Sequence, residues 1–127
     1  MSLAKLNRNT RFVTIRSETG AIAVDGTIPP TTVVDADRFD PDGSDEVVFY
    51  WDAGTSPAGT LDFELYVLDV ATSDKWVKAA GTTGVAPAEL ATLKCKGASQ
   101  CHLVVSGASG SNGSDLTVRA YAWHPGA

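Results

Sequence analysis

The sequence predicts an all-β protein, a single antiparallel β-sandwich of the Ig-like or jelly-roll type with an extended N-terminal arm. The chain has 127 residues, of which 43% are hydrophobic and 20% charged, as is usual for one globular domain. Seven or eight short runs rich in β-branched and aromatic residues recur between Gly-, Pro- and Ser-rich turns. This pattern favours a sandwich without choosing between the two topologies.

Each strand is predicted from a run of apolar or alternating residues bounded by turn formers. In 61–69, apolar residues alternate with polar ones from Leu61 onward, which is the period of a half-buried strand. The run 47–51 is apolar on both faces, so it is predicted to be covered on both sides. One short helix is predicted at 87–93, with Pro87 in its first turn. The predicted strands are 11–16, 21–24, 31–34, 47–51, 61–69, 75–78, 101–106 and 116–123.

Charge divides the chain at residue 16. Residues 1–16 carry four basic residues and no acid, whereas residues 17–127 carry six basic and fifteen acidic residues. We therefore predict a basic arm, 1–16, and an acidic sandwich domain, 17–127. The acidic body argues against nucleic-acid binding. Residues 1–10 lack the apolar stretch of a secretory signal, and no apolar run is long enough to span a bilayer.

An acidic stretch follows in residues 35–46. Six carboxylates in twelve residues suit calcium, which is bound by oxygen ligands. The stretch does not match an EF-hand loop, however, because with Gly43 as the glycine of that loop the first ligand position would fall on Arg38. We therefore expect a solvated loop with Asp-Gly turns, which could also dock a basic arm from a neighbour. The weak calcium candidates are Asp37, Asp40, Asp42 and Asp45.

The two cysteines, Cys95 and Cys101, lie six positions apart. A hairpin could place them opposite each other, and a disulfide closing so short a loop would contribute roughly 2.4 kcal/mol. A reducing cytosol would leave free thiols, whereas a particle maturing outside a cell could oxidise them. Zinc binding with His102 and His124 is not expected, because the spacing matches no standard site and adjacent residues of a strand point to opposite faces.

Catalysis has little support in the sequence. No serine lies in a Gly-x-Ser-x-Gly motif, and no phosphate-binding loop is present. Asp62 and Glu64 share a strand face as a glycosidase pair would, but are more simply the solvent face of that strand. We expect no enzyme activity and no cofactor.

Apolar and aromatic residues outside the predicted core point to a protein interface. Tyr66, Tyr121 and Trp123 lie on the polar faces of their strands, and exposed aromatics of this kind mark interfaces. In the arm, apolar residues alternate with the basic ones, which favours protein docking. The predicted interface residues are Leu3, Lys5, Leu6, Arg8, Arg11, Phe12, Arg16, Tyr66, Tyr121 and Trp123.

A charged arm, a small acidic β-sandwich, Gly/Ser/Thr-rich loops and no catalytic set resemble small virion proteins of tailed bacteriophages, head decoration (cement) proteins in particular. The resemblance covers the arm, 1–16, and the sandwich that follows; it is architectural and includes no sequence motif. It implies binding to the major capsid protein or other virion subunits on the capsid exterior, often as trimers, after assembly in the host cytoplasm.

The functional prediction is therefore a capsid-stabilising protein that acts by arm exchange and surface contacts. Deletion of residues 1–16 is expected to leave a folded monomer that no longer binds its particle. The alternative is a carbohydrate- or surface-binding module, for example from a tail fibre, which predicts coplanar exposed rings among Trp51, Trp76 and Trp123. A hydrolase would need a carboxylate or Ser/His pair in a concave pocket.

Overall fold

The computed structural model describes residues 4–8, 11–26, 28–30, 38–69 and 75–124. These residues form an all-β sandwich, which confirms the predicted fold class. Nine strands lie in the described residues: β1 (Ala4–Lys5), β2 (Val13–Ser17), β3 (Arg38–Asp40), β4 (Glu46–Thr55), β5 (Thr60–Asp69), β6 (Lys75–Val85), β7 (Ala91–Lys94), β8 (Cys101–Ser109) and β9 (Ser114–Trp123).

The strands form two sheets. One sheet has five strands in the order β1-β3-β8-β5-β6, and the other has four in the order β2-β9-β4-β7. All pairs are antiparallel except β1 with β3, which is parallel. From β6 to β9 each successive strand changes sheet, so this part of the chain repeatedly crosses between the two layers.

The core lies between the sheets and follows the period-two pattern of the strands. Phe49 of β4 meets Phe63 of β5 edge-on, with ring centroids 5.1 Å apart. Trp51 is fully buried, and its indole Nε1 donates a hydrogen bond of 2.8 Å to the carbonyl of Val85. An indole buried with its N–H satisfied stabilises the core without an orphaned donor. Val47, Val48, Phe49 and Trp51 are buried as predicted for 47–51, whereas Tyr50 of the same run is only half-buried.

Several short elements differ from the sequence prediction. The predicted helix at 87–93 is wrong, because Ala88 has a left-handed φ of 60° and the chain then enters β7, which pairs with β4. In 21–24 only an isolated bridge forms, between Ala21 and Ser114. The run 31–34 lies outside the described residues. Strands β1, β3 and β7 were not predicted, because two to four residues carry too little periodicity.

Residues 4–8 connect both sheets. Ala4 pairs with Phe39 of β3, and the Leu6 amide donates to the Asp40 carbonyl at 2.9 Å. The Ala122 amide of β9 donates to the Asn7 carbonyl at 2.8 Å. Leu6 is only 3% exposed and belongs to the core. Residues 4–8 therefore pack on their own chain.

The proposed boundary at residue 16 falls inside β2, the edge strand of the four-stranded sheet. Ile15 of this strand is 3% exposed and packs in the core. Deletion of residues 1–16 would therefore remove both Leu6 and Ile15 from the core, so we no longer expect that truncation to leave a folded monomer. In the described residues no helix has the length and hydropathy needed to cross a membrane.

Candidate protein interface

The outer surface of the four-stranded sheet carries aromatic residues where polar ones are usual. In the register of β4 with β9, Val48 lies opposite Tyr121 and Glu46 lies opposite Trp123. Directly opposed residues share a face, and the next residues along each strand point into the core. We name the outward set, together with Phe12 before β2, the aromatic face: Phe12, Val48, Tyr50, Tyr121 and Trp123.

Ring contacts hold the aromatic face together. Phe12 meets Tyr50 edge-on at a centroid distance of 5.0 Å and an interplanar angle of 81°. It meets Tyr121 in the same way at 5.0 Å and 76°. Each such T-shaped pair contributes about 0.5–1.5 kcal/mol beyond the area it buries. Phe12 thus fixes both tyrosine rings from the β2 side, and the face is preorganised.

A shallow depression lies at one end of the aromatic face. Its volume is about 260 Å³, and two of the large apolar side chains that line it are exposed, Leu90 by 59% and Trp123 by 37%. The residues that line it are Glu46, Val48, Leu90, Thr92, Tyr121 and Trp123. A concave apolar surface of this kind fits one or a few apolar side chains of a partner.

Charged residues surround the aromatic face. Arg119 lies opposite Tyr50, and Lys94 lies opposite Glu46. Asp52 follows two residues after Tyr50 on the same side of β4. An apolar centre with a rim of both charge signs is the usual organisation of a protein–protein contact.

The predicted interface residues do not all lie on one surface. Phe12, Tyr121 and Trp123 are brought together on the aromatic face, and Arg11, next to Phe12, is exposed. Tyr66 lies on the outer side of the other sheet and is 3% exposed, and Leu6 and Arg16 are buried in the chain itself. Leu3 lies outside the described residues.

Sequence reasoning missed three members of this surface: Val48, Tyr50 and Leu90. Val48 and Tyr50 lie in β4, within the run 47–51. That run is apolar on both faces, so the sequence predicts that both faces are buried. Leu90 stands alone before β7, and no periodic signal marks it.

The buried Arg16 is an internal structural residue. Its two terminal guanidinium nitrogens each donate a hydrogen bond of 2.8 Å to Asp25, and Nε donates to Glu18 at 3.1 Å. Burial lowers the Arg16 pKa, but the contacts with Asp25 and Glu18 outweigh it and leave the pKa raised.

Asp25 joins this ion pair to β8. Its Oδ2 also accepts a hydrogen bond of 2.7 Å from the Val105 amide. Burial raises the Asp25 pKa, but Arg16 and the Val105 N–H outweigh it, so the pKa lies below its usual value. Arg16 and Asp25 thus attach the segment after β2 to β8.

Lys5, Arg8 and His124 converge on Asp42. Lys5 Nζ lies 3.5 Å from Oδ1, Arg8 Nε 3.5 Å from Oδ2, and His124 Nε2 3.6 Å from Oδ2. The sequence suggested that the acidic stretch could dock a basic arm from a neighbour, and in the single chain it docks its own. Lys5 and Arg8 are well exposed, so screening keeps these ion pairs weak and Leu6 contributes most to holding this segment.

The calcium candidates do not assemble into a cage within the described residues. Asp40 Oδ1 accepts a hydrogen bond of 2.8 Å from the Asp42 amide, which makes an Asx turn, and Asp45 is exposed. Asp37 lies outside the described residues. In the described ranges no group of three or more His, Cys, Asp or Glu residues could hold a metal.

The residues considered for sugar binding and for a glycosidase pair are buried or bonded to other residues of the chain. Trp51 is in the core and Trp76 is 9% exposed, so these rings do not form the exposed coplanar set of a sugar platform with Trp123. Asp62 Oδ1 accepts a hydrogen bond of 2.8 Å from the Gly84 amide. Glu64 accepts one of 2.7 Å from the Tyr66 hydroxyl and pairs with Lys78 at 3.6 Å.

The outer side of the five-stranded sheet has its own apolar cluster. Tyr66, Trp76 and Val104 form it, with Leu68 packed against them. Burial and then Glu64 raise the pKa of Tyr66 to about 12. His102 stacks edge-on against Trp76 at 6.1 Å on this side.

The two cysteines lie in the core between the sheets. Both are buried and free. Cys101 therefore points away from the side on which His102 contacts Trp76, as strand alternation predicted.

No protein-family model matches the chain, and no curated protein matches it. Among solved structures, the chain is similar to the crystal structure of the SPBc2 prophage-derived protein YomS, with 11% sequence identity and a TM-score of 0.44. The similar region covers 87% of this chain and 88% of that one.

Proposed function

We propose that this protein is a non-enzymatic virion structural protein that binds the outer capsid lattice, with the aromatic face as its contact surface. The observation that carries the proposal is the group of rings formed by Phe12, Tyr50 and Tyr121 on the outside of a sheet, with the exposed Trp123 on the same face. An outer sheet face that meets only water normally carries polar residues.

The composition of the face supports a protein partner. Aromatic residues dominate the centres of protein–protein contacts because they bury a large area and lose little side-chain entropy. Leu90 and Trp123 leave apolar surface exposed beside the depression, and a partner side chain there would remove it from water. The mixed charges of Lys94, Asp52 and Arg119 would then set the orientation of the partner.

The proposal includes assembly as a homo-oligomer, the trimer that the resemblance to decoration proteins implies, on the capsid exterior. Exchange of the arm between copies is compatible with the contacts of residues 4–8, which pair with β3 and contact Asp42. In an exchanged arrangement, Leu6 would enter the core of a neighbouring copy, and Lys5 and Arg8 would pair with that copy's Asp42. Because the contacts stay the same, such an exchange has a low free-energy difference from the closed monomer.

The test compares charged substitutions at matched exposed positions. A double variant, Leu90→Glu with Trp123→Glu, places two carboxylates beside the depression. The control is Val77→Glu on β6 of the other sheet, where the side chain is 47% exposed. Co-sedimentation with capsids assembled without this protein measures binding, and thermal unfolding checks that each variant is folded.

We expect the double variant to bind at least about 30-fold more weakly than the unmodified protein, as for loss of a central contact, and the control to bind normally. Normal binding by the folded double variant would overturn the assignment of this face. Arm exchange is tested separately by light scattering, where mixing a tagged and an untagged form should give mixed oligomers.

A further inference from the structure

Cys95 and Cys101 lie where the chain passes from one sheet to the other. Cys95 directly follows β7 of the four-stranded sheet, and Cys101 is the first residue of β8 in the five-stranded sheet. Their exposed fractions are 1% and 0%, and both belong to the same core cluster. A covalent bond between them would link the two layers at this end of the sandwich.

The main chain between them forms a fixed bend. The Cys95 amide donates to the Asp45 carbonyl at 2.7 Å, and the Gly97 amide donates to the Ser44 carbonyl at 2.9 Å. The Ala98 amide closes the turn on the Cys95 carbonyl at 3.1 Å. These contacts hold Cys95 in place while the chain returns to Cys101.

Both thiols lie in the same core cluster, and each acts on the pKa of the other. Cys95 Sγ also donates to the Ser44 carbonyl at 3.1 Å and lies 3.7 Å from the Ser44 hydroxyl. The two thiols therefore occupy one part of the core in the folded chain.

The surroundings give the two thiols different acidities. The hydrogen bond with Cys101 outweighs burial and lowers the Cys95 pKa to about 7. The same hydrogen bond, together with burial, raises the Cys101 pKa. Because Cys95 has the lower pKa of the two, we expect it to be the attacking thiolate and Cys101 the resolving thiol.

We propose that Cys95 and Cys101 are a built-in cross-link site that closes to an intrachain disulfide when a small-molecule disulfide such as oxidised glutathione is the oxidant. The Cys95 thiolate attacks one glutathione sulfur, forming a mixed disulfide and releasing one glutathione thiolate. Cys101 then loses its proton and attacks Cys95 Sγ, which releases the second glutathione. The two protein thiols are oxidised by two electrons, and one glutathione disulfide is reduced to two thiols.

The experiment uses the full chain in oxidised and reduced glutathione buffers at mildly alkaline pH. Because both thiols are buried, one sample is oxidised in the native state and another is refolded from denaturant in the same buffer. Intact mass, thiol titration and a non-reducing peptide map identify the product, and thermal unfolding measures its effect. Cys101→Ser and the double variant Cys95→Ala with Cys101→Ala are the controls.

We expect the refolded protein to lose two hydrogen atoms, to titrate without free thiols and to show a 95–101 linkage. Its melting temperature should rise by about 5–10 °C over the reduced form, because the cross-link restricts the unfolded chain. Cys101→Ser should stop at the mixed disulfide with glutathione, and the double variant should melt at one temperature in both buffers. Two free thiols after oxidative refolding, stable glutathione adducts on the unmodified protein, or a disulfide-linked dimer would each overturn the proposal.

Discussion

Substitution of Arg16 by Met tests whether this residue holds the sandwich together or serves as a contact for a partner. The arginine side chain is 6% exposed and donates to both oxygens of Asp25 and to the Leu103 carbonyl. Met keeps much of the apolar stem but removes every donor. Among the described residues, the Val105 amide would then remain as the hydrogen-bond donor to the half-buried Asp25 carboxylate.

The expected loss is about 3 kcal/mol, since removal of one partner from a buried ion pair typically destabilises a protein by 3–5 kcal/mol and Asp25 is partly exposed. For a chain of this length that corresponds to a fall in melting temperature of about 10 °C. The matched control is Arg11→Met, because Arg11 is exposed and precedes β2 by two residues. It should change the free energy of unfolding by less than about 0.5 kcal/mol.

Urea denaturation of Arg16→Met, Asp25→Asn and the double variant measures the interaction directly. The double variant should be more stable than the sum of the single losses predicts, by about 1–3 kcal/mol. Additive losses, or an Arg16→Met protein as stable as the Arg11→Met control, would refute the internal role of Arg16.

The pH dependence provides a second measurement of the same pair. The Asp25 pKa is lowered in the folded protein, so its contribution is present above the unfolded carboxyl pKa of about 3.9 and is lost as pH falls through the folded value. The stability difference between the unmodified protein and Asp25→Asn should therefore shrink below about pH 4. A difference that stayed constant down to the folded pKa would contradict this assignment.

Two further pairs of substitutions, each measured by urea denaturation, test the packing of residues 4–8 and one tight turn. Leu6→Ala should lower the free energy of unfolding by about 2–4 kcal/mol because Leu6 is in the core. Lys5→Ala removes only an exposed ion pair and should change the free energy of unfolding little. Equal small effects of the two substitutions would show that residues 4–8 are not docked. Gly113→Ala should destabilise the protein far more than Gly84→Ala. Both glycines have a positive φ, but a Cβ at Gly113 would collide with the Thr55 carbonyl, whereas a Cβ at Gly84 would meet open space. Similar losses of about 1 kcal/mol at both positions would contradict this close approach.

The long strands could be predicted from the sequence because their periodicity is local. The alternation that begins at Leu61 and the one that ends at Trp123 each specify one buried and one outer face without knowledge of the partner strand. Strands β1, β3 and β7 could not be found in this way. They are strands because neighbouring backbones offer hydrogen bonds, and two to four residues carry no periodic signal of their own.

Part of the candidate interface could also be predicted from local strand periodicity. Tyr121 and Trp123 stand at polar positions of an alternating strand, so the sequence marked them as outward and unusual. Their neighbour Phe12 precedes β2 and Tyr50 lies in β4, and only the register of β2, β9 and β4 places the rings in contact. Tyr66 carried the same signal as Tyr121, yet it packs in a separate cluster on the other sheet.

The sequence by itself determined the fold class and the division into a basic N-terminal segment and an acidic body, since strand periodicity and charge are properties of consecutive residues. Only the tertiary structure decided what that basic segment does in the single chain. Burial and charge pairing depend on residues far apart in the chain. Leu6 enters the core, Lys5 and Arg8 reach Asp42, and Arg16 is enclosed by Asp25 and β8.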